Sequence, residues 1–430
     1  MNLEEFPSEL IIVQSLNLDL SSINRVCRTS KRFNEVICQS QYFWHQKFIL
    51  DWKFDPQLYT GSWKELYKHY GSVWVFGKNN FGQLGIGDRN SRANPILLPN
   101  IKAKQASTGR YHTVMIDLQD NVWVVGDNQF GQLGLADNGL GCLRFGQLGF
   151  YDSEIRSIPT LLPNIKAKKI SVGDCHTILT DFQDNIFVFG NNSHGQLGLG
   201  DNSNRFMPTL LPNIKAKQVF AGGWHTILID LQDNVFVFGK NESRQLGLGD
   251  RNDRSDPTLI PNIKARQVSA GSDHTVLIDL QDNVFVFGDN DCGQLGLRDL
   301  NRRSIPTLLP NIKAQKIFAI GYHTVLTDLE NNVWGFGHNG CGELGLGDRF
   351  DRLLPTLLLS NIRVKQVSGG YFHTVITDIQ DNVYVFGRND EGQLGLGDNN
   401  GRWIPTLLPK IKAQQVSAMG DHTFLIGTYI

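Results

Sequence analysis

One string dominates this chain. Val-Phe-Val-Phe-Gly, or a near relative, ends at Gly77, Gly126, Gly190, Gly239, Gly288, Gly337 and Gly387. A second string, His-Thr plus an apolar run, starts at His112, His176, His225, His274, His323, His373 and His422. Spacing is 49 or 50 residues, except for one interval of 64 in each series. Repetition at this period means stacked copies of one supersecondary unit, each burying its apolar face against the next. HTVLID and NVFVFG read as two short strands joined by a tight turn over Leu280–Asn283. Both are apolar almost throughout, as expected where neighbouring sheets cover both faces. PTLIPNI carries two prolines and reads as an edge strand or extended connector. QVSAG reads as a third short strand. About 50 residues with three or four strands is the size of a propeller blade.

The count of strands decides how the array ends. Val73–Gly77 has no His-Thr strand before it, and His422–Ile426 has no Val-Phe-Gly strand after it. Each orphan is the partner the other lacks, whereas an open solenoid would leave two bare edges. The expected fold is therefore mainly β: a seven-bladed β-propeller over 73–430, closed by pairing of its N- and C-terminal strands. The 64-residue unit contains Phe-Gly-Gln-Leu-Gly twice, at Phe130–Gly134 and Phe145–Gly149. That places an insertion at about 135–149, read as a tolerated surface loop, with a binding protrusion as the alternative.

Composition bounds the function. With 430 residues, 40% hydrophobic and 19% charged, the chain is no disordered tail. A net charge of −1 argues against gripping nucleic acid by bulk electrostatics. Six cysteines without CxxC spacing argue against a zinc ribbon and a disulfide framework. The start, MNLEEFPSEL, has no basic region or long apolar run, so no signal peptide or membrane partner is expected. The expected location is intracellular, cytoplasmic or nuclear. HExxH, GxSxG and GxxxxGK[ST] are all absent, so neither an enzyme nor a cofactor is expected. The seven histidines form a ring rather than converge on a metal, and each is read as tied to its local backbone. Asp88, Asp201, Asp250, Asp299, Asp348 and Asp398 are read as turn caps. Lys102, Lys166, Lys215, Lys264, Lys313, Arg363 and Lys412 are read as a solvated surface rather than a nucleic-acid ring.

GQLGLGD together with (S/A)-G-x-x-H-T resembles the regulator of chromosome condensation repeat family over Val73–Ile430. The resemblance implies a seven-bladed propeller. It also raises two alternatives: guanine-nucleotide exchange on a Ran-like small GTPase, and chromatin binding.

Residues 1–70 carry no repeat. Phe6-Pro7-x-Glu9-Leu10, then Leu16, Leu20, Ile23, Val26-Cys27-Arg28, Phe33 and Phe43-Trp44 resemble an F-box over 1–50, with Phe6 where the family usually has leucine. That resemblance implies a helical module binding a Skp-type adaptor of a cullin ubiquitin ligase. Its adaptor-binding residues would be Phe6, Pro7, Leu10, Ile11, Leu16, Leu20, Ile23, Val26, Cys27, Phe33 and Trp44. A helix through Trp63, Leu66, Tyr67 and Tyr70, within 51–72, is expected to dock on the propeller.

The two ends of the repeated hairpin differ. The Gln-Asp-Asn turns are nearly identical between copies. At the opposite end the copies vary, at Phe81, Arg110, Tyr111, Phe130, Asp174, His194, Trp224, Arg244, Asp273, Tyr322, Tyr371, Phe372 and Asp421. A scaffold repeated for folding alone has no need to vary there, and aromatic and charged residues are what protein recognition uses. The expected function is a non-enzymatic adaptor whose propeller holds a protein substrate on this face.

Overall fold

The computed structural model describes residues 8–52, 62, 64, 70–135, 154–359 and 362–429. Phe6, Pro7, the inserted loop and most of the expected docking helix lie outside them. The chain divides into two compact units, Met1–Gly71 and Ser72–Thr428. No helix among the described residues is long and apolar enough to cross a membrane.

The first unit is helical: α1 (Ser8–Ser15), α2 (Leu20–Thr29), a single turn α3 (Lys31–Phe33) running into a π-helical turn (Asn34–Cys38), and α4 (Gln41–Trp52). Asp19 starts α2 by accepting the Ser22 N–H at 2.7 Å, which satisfies one of the orphan donors of the first turn. Ile11, Ile23, Phe33, Ile37, Phe43 and Trp44 form the core. The Trp44 indole donates to the Cys38 carbonyl, and the Lys47 ammonium donates to the Leu16 carbonyl. The π-helical turn folds back on α2 and brings Cys27 and Cys38 within 6.3 Å (Cα–Cα), where they form a disulfide. The absence of CxxC spacing argues against a disulfide framework, yet this one pair is bridged while Cys175, Cys292 and Cys341 are free. Spacing says nothing about two cysteines eleven residues apart that a turn brings together.

The second unit is built from antiparallel strands, and one copy shows the rule. His225–Asp230 pairs with Asn234–Gly239 through a turn in which the Asp230 carboxylate accepts the Gln232 and Asn234 N–H groups, both at 2.8 Å. Asp233 takes φ +72°, a conformation aspartate tolerates. The proline-rich segment and the QVSA segment are one strand, Arg254–Ala270, rather than two. It bends at Asn262 (φ +60°). Its first half forms the outer edge beside Asn234–Gly239; its second half pairs with the next copy's His274–Asp279. The prolines sit on the outer half, where no further strand asks for their missing N–H.

The first strand, Ser72–Gly77, pairs with the last, His422–Tyr429, in the register Val73↔Ile426, Trp74↔Leu425 and Val75↔Phe424. Pairing runs as ladders of ten and thirteen strands. They part between Lys166 and Lys169 and between Leu359 and Val364, where the bent strand is interrupted. At the second break Leu359-Ser360 stand, one residue longer, where the other copies have a single proline.

The histidines have a different partner from the expected local backbone. The Nε2 of His176 lies 3.2 Å from the Oγ1 of Thr226, the threonine of the following copy. The same bond links His112 to Thr177, His225 to Thr275, His274 to Thr324, His323 to Thr374 and His373 to Thr423. His422 returns to Thr113. Each threonine hydroxyl already donates to a buried carbonyl, as Thr226 does to Gln196 at 2.8 Å. Its one proton is used, so the histidine must donate, and every ring is the neutral Nε2–H tautomer. The Nδ1 atoms are buried without a partner. Gly222 is required by this belt: a Cβ there would stand 2.3 Å from the His225 ring.

The other repeated polar residues also serve the scaffold. Asp250 accepts the Asn252 N–H and pairs with Arg254 at 2.6 Å, as turn capping requires. Lys215, Lys264, Lys313 and Lys412 donate to glutamine carbonyls of the Gln-Asp-Asn turns, so these amines brace turns.

Candidate recognition face

The variable ends of the hairpins gather on one side of the propeller, opposite the uniform turns. Most of the residues singled out there touch one another. Phe81 lies 4.6 Å from Tyr111, ring to ring. The Arg110 guanidinium sits 4.9 Å over Tyr111 and 5.6 Å from Tyr371. Tyr322 lies 6.0 Å from Tyr371 and 5.8 Å from Phe372. Asp421 lies 3.6 Å from Lys78. His194 and Trp224 form a separate pair, 5.8 Å apart, with Asp253 2.8 Å from the His194 ring. Asp273 accepts from Gln245 at 2.8 Å, with Lys240 at 3.6 Å. Arg244 stands at a glycine position with φ +68° and donates to the Arg302 carbonyl. Phe130 is half-buried.

Sequence reasoning missed His338, Glu343 and Arg388. His338 packs 5.4 Å from Phe372 and is bonded to Glu343, which is fully buried. That hydrogen bond raises the His338 pKa. Arg388 lies 6.0 Å from the Phe372 ring and 3.8 Å from Asp421. A signal was present: Glu343 stands where the other copies have Gln83, Gln132, Gln196, Gln245, Gln294 and Gln393.

At the centre of this face the loops before each His-Thr strand follow one another around an axis. The Arg110 N–H donates to the Asp174 carbonyl, Asp174 to Gly223, Gly223 to Gly271, Ser272 to Gly321, and Tyr371 to Gly420. They close one end of a cavity of about 170 Å³ lined by residues such as Thr108, Val172, Ser269, Phe318 and Ser417. The Tyr371 hydroxyl donates across the mouth to Asp174 at 2.6 Å. Burial pushes the Asp174 carboxyl up to about 6, and the Tyr371 bond and the Arg110 charge offset that only in part. Since its folded pKa exceeds its unfolded value, the stability it gives is full in acid and lost as pH rises through about 6. Asp174→Asn, which keeps an acceptor for Tyr371, should therefore stabilise the protein by up to about 3 kcal/mol at pH 8 and by little at pH 4. Urea unfolding of both chains at the two pH values checks this; equal gains at both would refute it.

The helical unit's expected adaptor residues fall into two sets. Ile11, Ile23, Phe33 and Trp44 are interior and hold the module itself together. Leu16, Leu20, Val26 and Cys27 are partly buried around that core, with Cys27 in the disulfide. Leu10 lies in α1. Tyr42 and Leu50 on α4 are exposed. Among the described residues no group of His, Cys, Asp or Glu is placed to hold a metal ion.

Comparison with known proteins gives consistent matches for the second unit. A model of the RCC1-like domain matches residues 140–428, and models of the regulator of chromosome condensation (RCC1) repeat match 70–116 and 103–132. The human protein named probable E3 ubiquitin-protein ligase HERC4 is 30% identical over 125 residues, 27% of this chain and 10% of that one. The human X-linked retinitis pigmentosa GTPase regulator is 32% identical over 128 residues, 28% of this chain and 11% of that one. The chain thus spans about a tenth of the length of these curated relatives. In three dimensions it resembles Prp20p of Saccharomyces cerevisiae, with a TM-score of 0.73 at 20% identity, covering 85% of this chain and 94% of that one.

Proposed function

Because the chain belongs to the RCC1-like domain family, we propose that it works by holding other proteins, as the substrate-recognition subunit of a Skp–cullin–F-box ubiquitin ligase. The helical module engages the adaptor and the propeller presents the target, so its contribution is proximity rather than bond chemistry. One observation carries this reading: of the residues that differ between otherwise near-identical copies, Phe81, Arg110, Tyr111, Asp174, Tyr322, Tyr371 and Phe372 join in one aromatic and charged cluster, with His194 and Trp224 as a second pair. The name of the HERC4 relative places a similar repeat stretch in a ubiquitin ligase. Under this reading the ring has seven blades closed by Ser72–Gly77 against His422–Tyr429, and the belt of histidine bonds that returns from His422 to Thr113 supports it.

Exchange activity on a Ran-like GTPase is the second reading, favoured by the likeness to Prp20p, whose structure was described with its binding to Gsp1p and histones. One pull-down separates the two. The full chain is expected to recover a Skp–cullin complex, and a chain starting at Gly71 to lose it; recovery of a GTPase by both would support exchange instead. Replacing Trp224, Tyr322 and Phe372 together by alanine should abolish target capture and leave the melting temperature within a few degrees. Unchanged capture would put the target elsewhere.

A further inference from the structure

The mouth of the central channel is lopsided. Seven loop positions surround it: Arg110, Asp174, Gly223, Ser272, Gly321, Tyr371 and Gly420. Arg110, Tyr371 and Asp174 close across one side. On the other, Gly223, Ser272 and Gly321 are consecutive around the ring and bring almost no side chain. The residues that follow them are Trp224, Asp273 and Tyr322, and the Asp273 charge acts on both the Tyr322 hydroxyl and the Asp174 carboxyl. Two polar atoms around the mouth have no partner: Asp174 Oδ1, in a residue 3% exposed, and Ser272 Oγ, in a residue 6% exposed. An acceptor buried without a donor marks a place where something is missing.

The charge around this crevice is one-sided. Asp174, Glu242, Asp273, Asp289 and Asp291 are met by three cations, Arg110, Lys240 and Arg302, and Arg302 is committed to Asp289 and Asp291 at 2.8 and 2.6 Å. Anionic ligands are repelled there. A guanidinium or ammonium brings donors, charge and affinity for aromatic faces together.

We propose that this crevice is a socket for one lysine or arginine side chain of the protein held on the variable face, with Asp174 and Asp273 as its acceptors and Trp224 and Tyr322 as its walls. The proposal rests on the reading of that face as a recognition surface, and it names the chemistry recognised. Arg110 is the chain's own cation beside Asp174, and the incoming group reaches the buried Oδ1 by displacing it from the Tyr371 ring.

The test titrates the full chain with blocked Gly-Arg-Gly and Gly-Lys-Gly, and with the citrulline and glutamate counterparts, following the Trp224 indole N–H resonance, assigned by Trp224→Phe. Saturable shifts are expected with arginine and lysine and absent with the others. Asp174→Asn and Asp273→Asn should each weaken binding at least tenfold, while Arg110→Ala should tighten it at least threefold. Melting temperatures confirm that each variant is folded. A citrulline peptide that shifts the indole equally, no shift at all, or indifference to both aspartate variants would overturn the socket. No peptide binding while the alanine triple variant still loses its target would sink the socket alone. Peptide binding with target capture unchanged in that variant would instead sink the reading of the face.

Discussion

Between pH 7 and pH 5 this protein is expected to lose nearly all of its folding stability. His112, His176, His225, His274, His323, His373 and His422 are all fully buried, and loss of hydration pushes each imidazole down to about 3. In the folded state each is neutral, its Nε2–H is spent on a threonine, and a second proton would land on an Nδ1 without a partner. Unfolded, each titrates near 6.5. The folded value is the lower one, so the stability is present above about 6.5 and is lost as pH falls toward 3. At pH 5 each ring accounts for about 2 kcal/mol of loss, and seven together for about 13, against a total for a folded domain of about 5–15. Carboxylates that are held low, such as Asp250 and Asp348, add nothing until the pH nears 4. Urea unfolding from pH 7.5 to 5.5 should show stability falling with a slope that approaches six protons taken up, the seven imidazoles less the proton that folded Asp174 already holds. A slope of fewer than two protons would refute the neutral belt.

Phe76→Ala is expected to destabilise the protein as much as Phe287→Ala does, by about 3–5 kcal/mol each. The two phenylalanines hold the same place in their copies, and both are fully buried. Phe287 lies in the middle of the array. Phe76 lies at its start, yet it packs among Val375, Val385, Leu394, Leu408 and Leu425, some three hundred residues along the chain. A terminal strand of an open array frays at little cost, and trimming its side chain then costs less than about 1 kcal/mol. Equal losses therefore report a ring that the last strand closes, and a small loss for Phe76 alone reports an open one. Chemical denaturation of the two single variants measures the difference directly.

The strands were easy to read because β-branched and aromatic runs bounded by Asp-Asn and Gly turns leave little choice. The bent strand was harder. Proline is a local signal, and the run Arg254–Ala270 reads as two pieces until a neighbour supplies the partner for each half. The variable face was legible as differences between copies, and Glu343 among six glutamines was equally visible. The Tyr371–Asp174 bond was not, since it joins residues 197 apart whose loops meet only at the axis. Nor was the Cys27–Cys38 bond, which depends on a π-helical turn that no periodicity announces.

The repeating unit, its strand pairs and which of its ends varies are all written in side-chain pattern over a few neighbouring residues. What the repeated histidines hold, which of the variable residues meet across the channel mouth, and where buried acceptors are left without donors emerge only once the copies are packed together. Those depend on distances between copies, and a hydrogen bond reaches only about 3 Å, so no spacing along the chain can specify it.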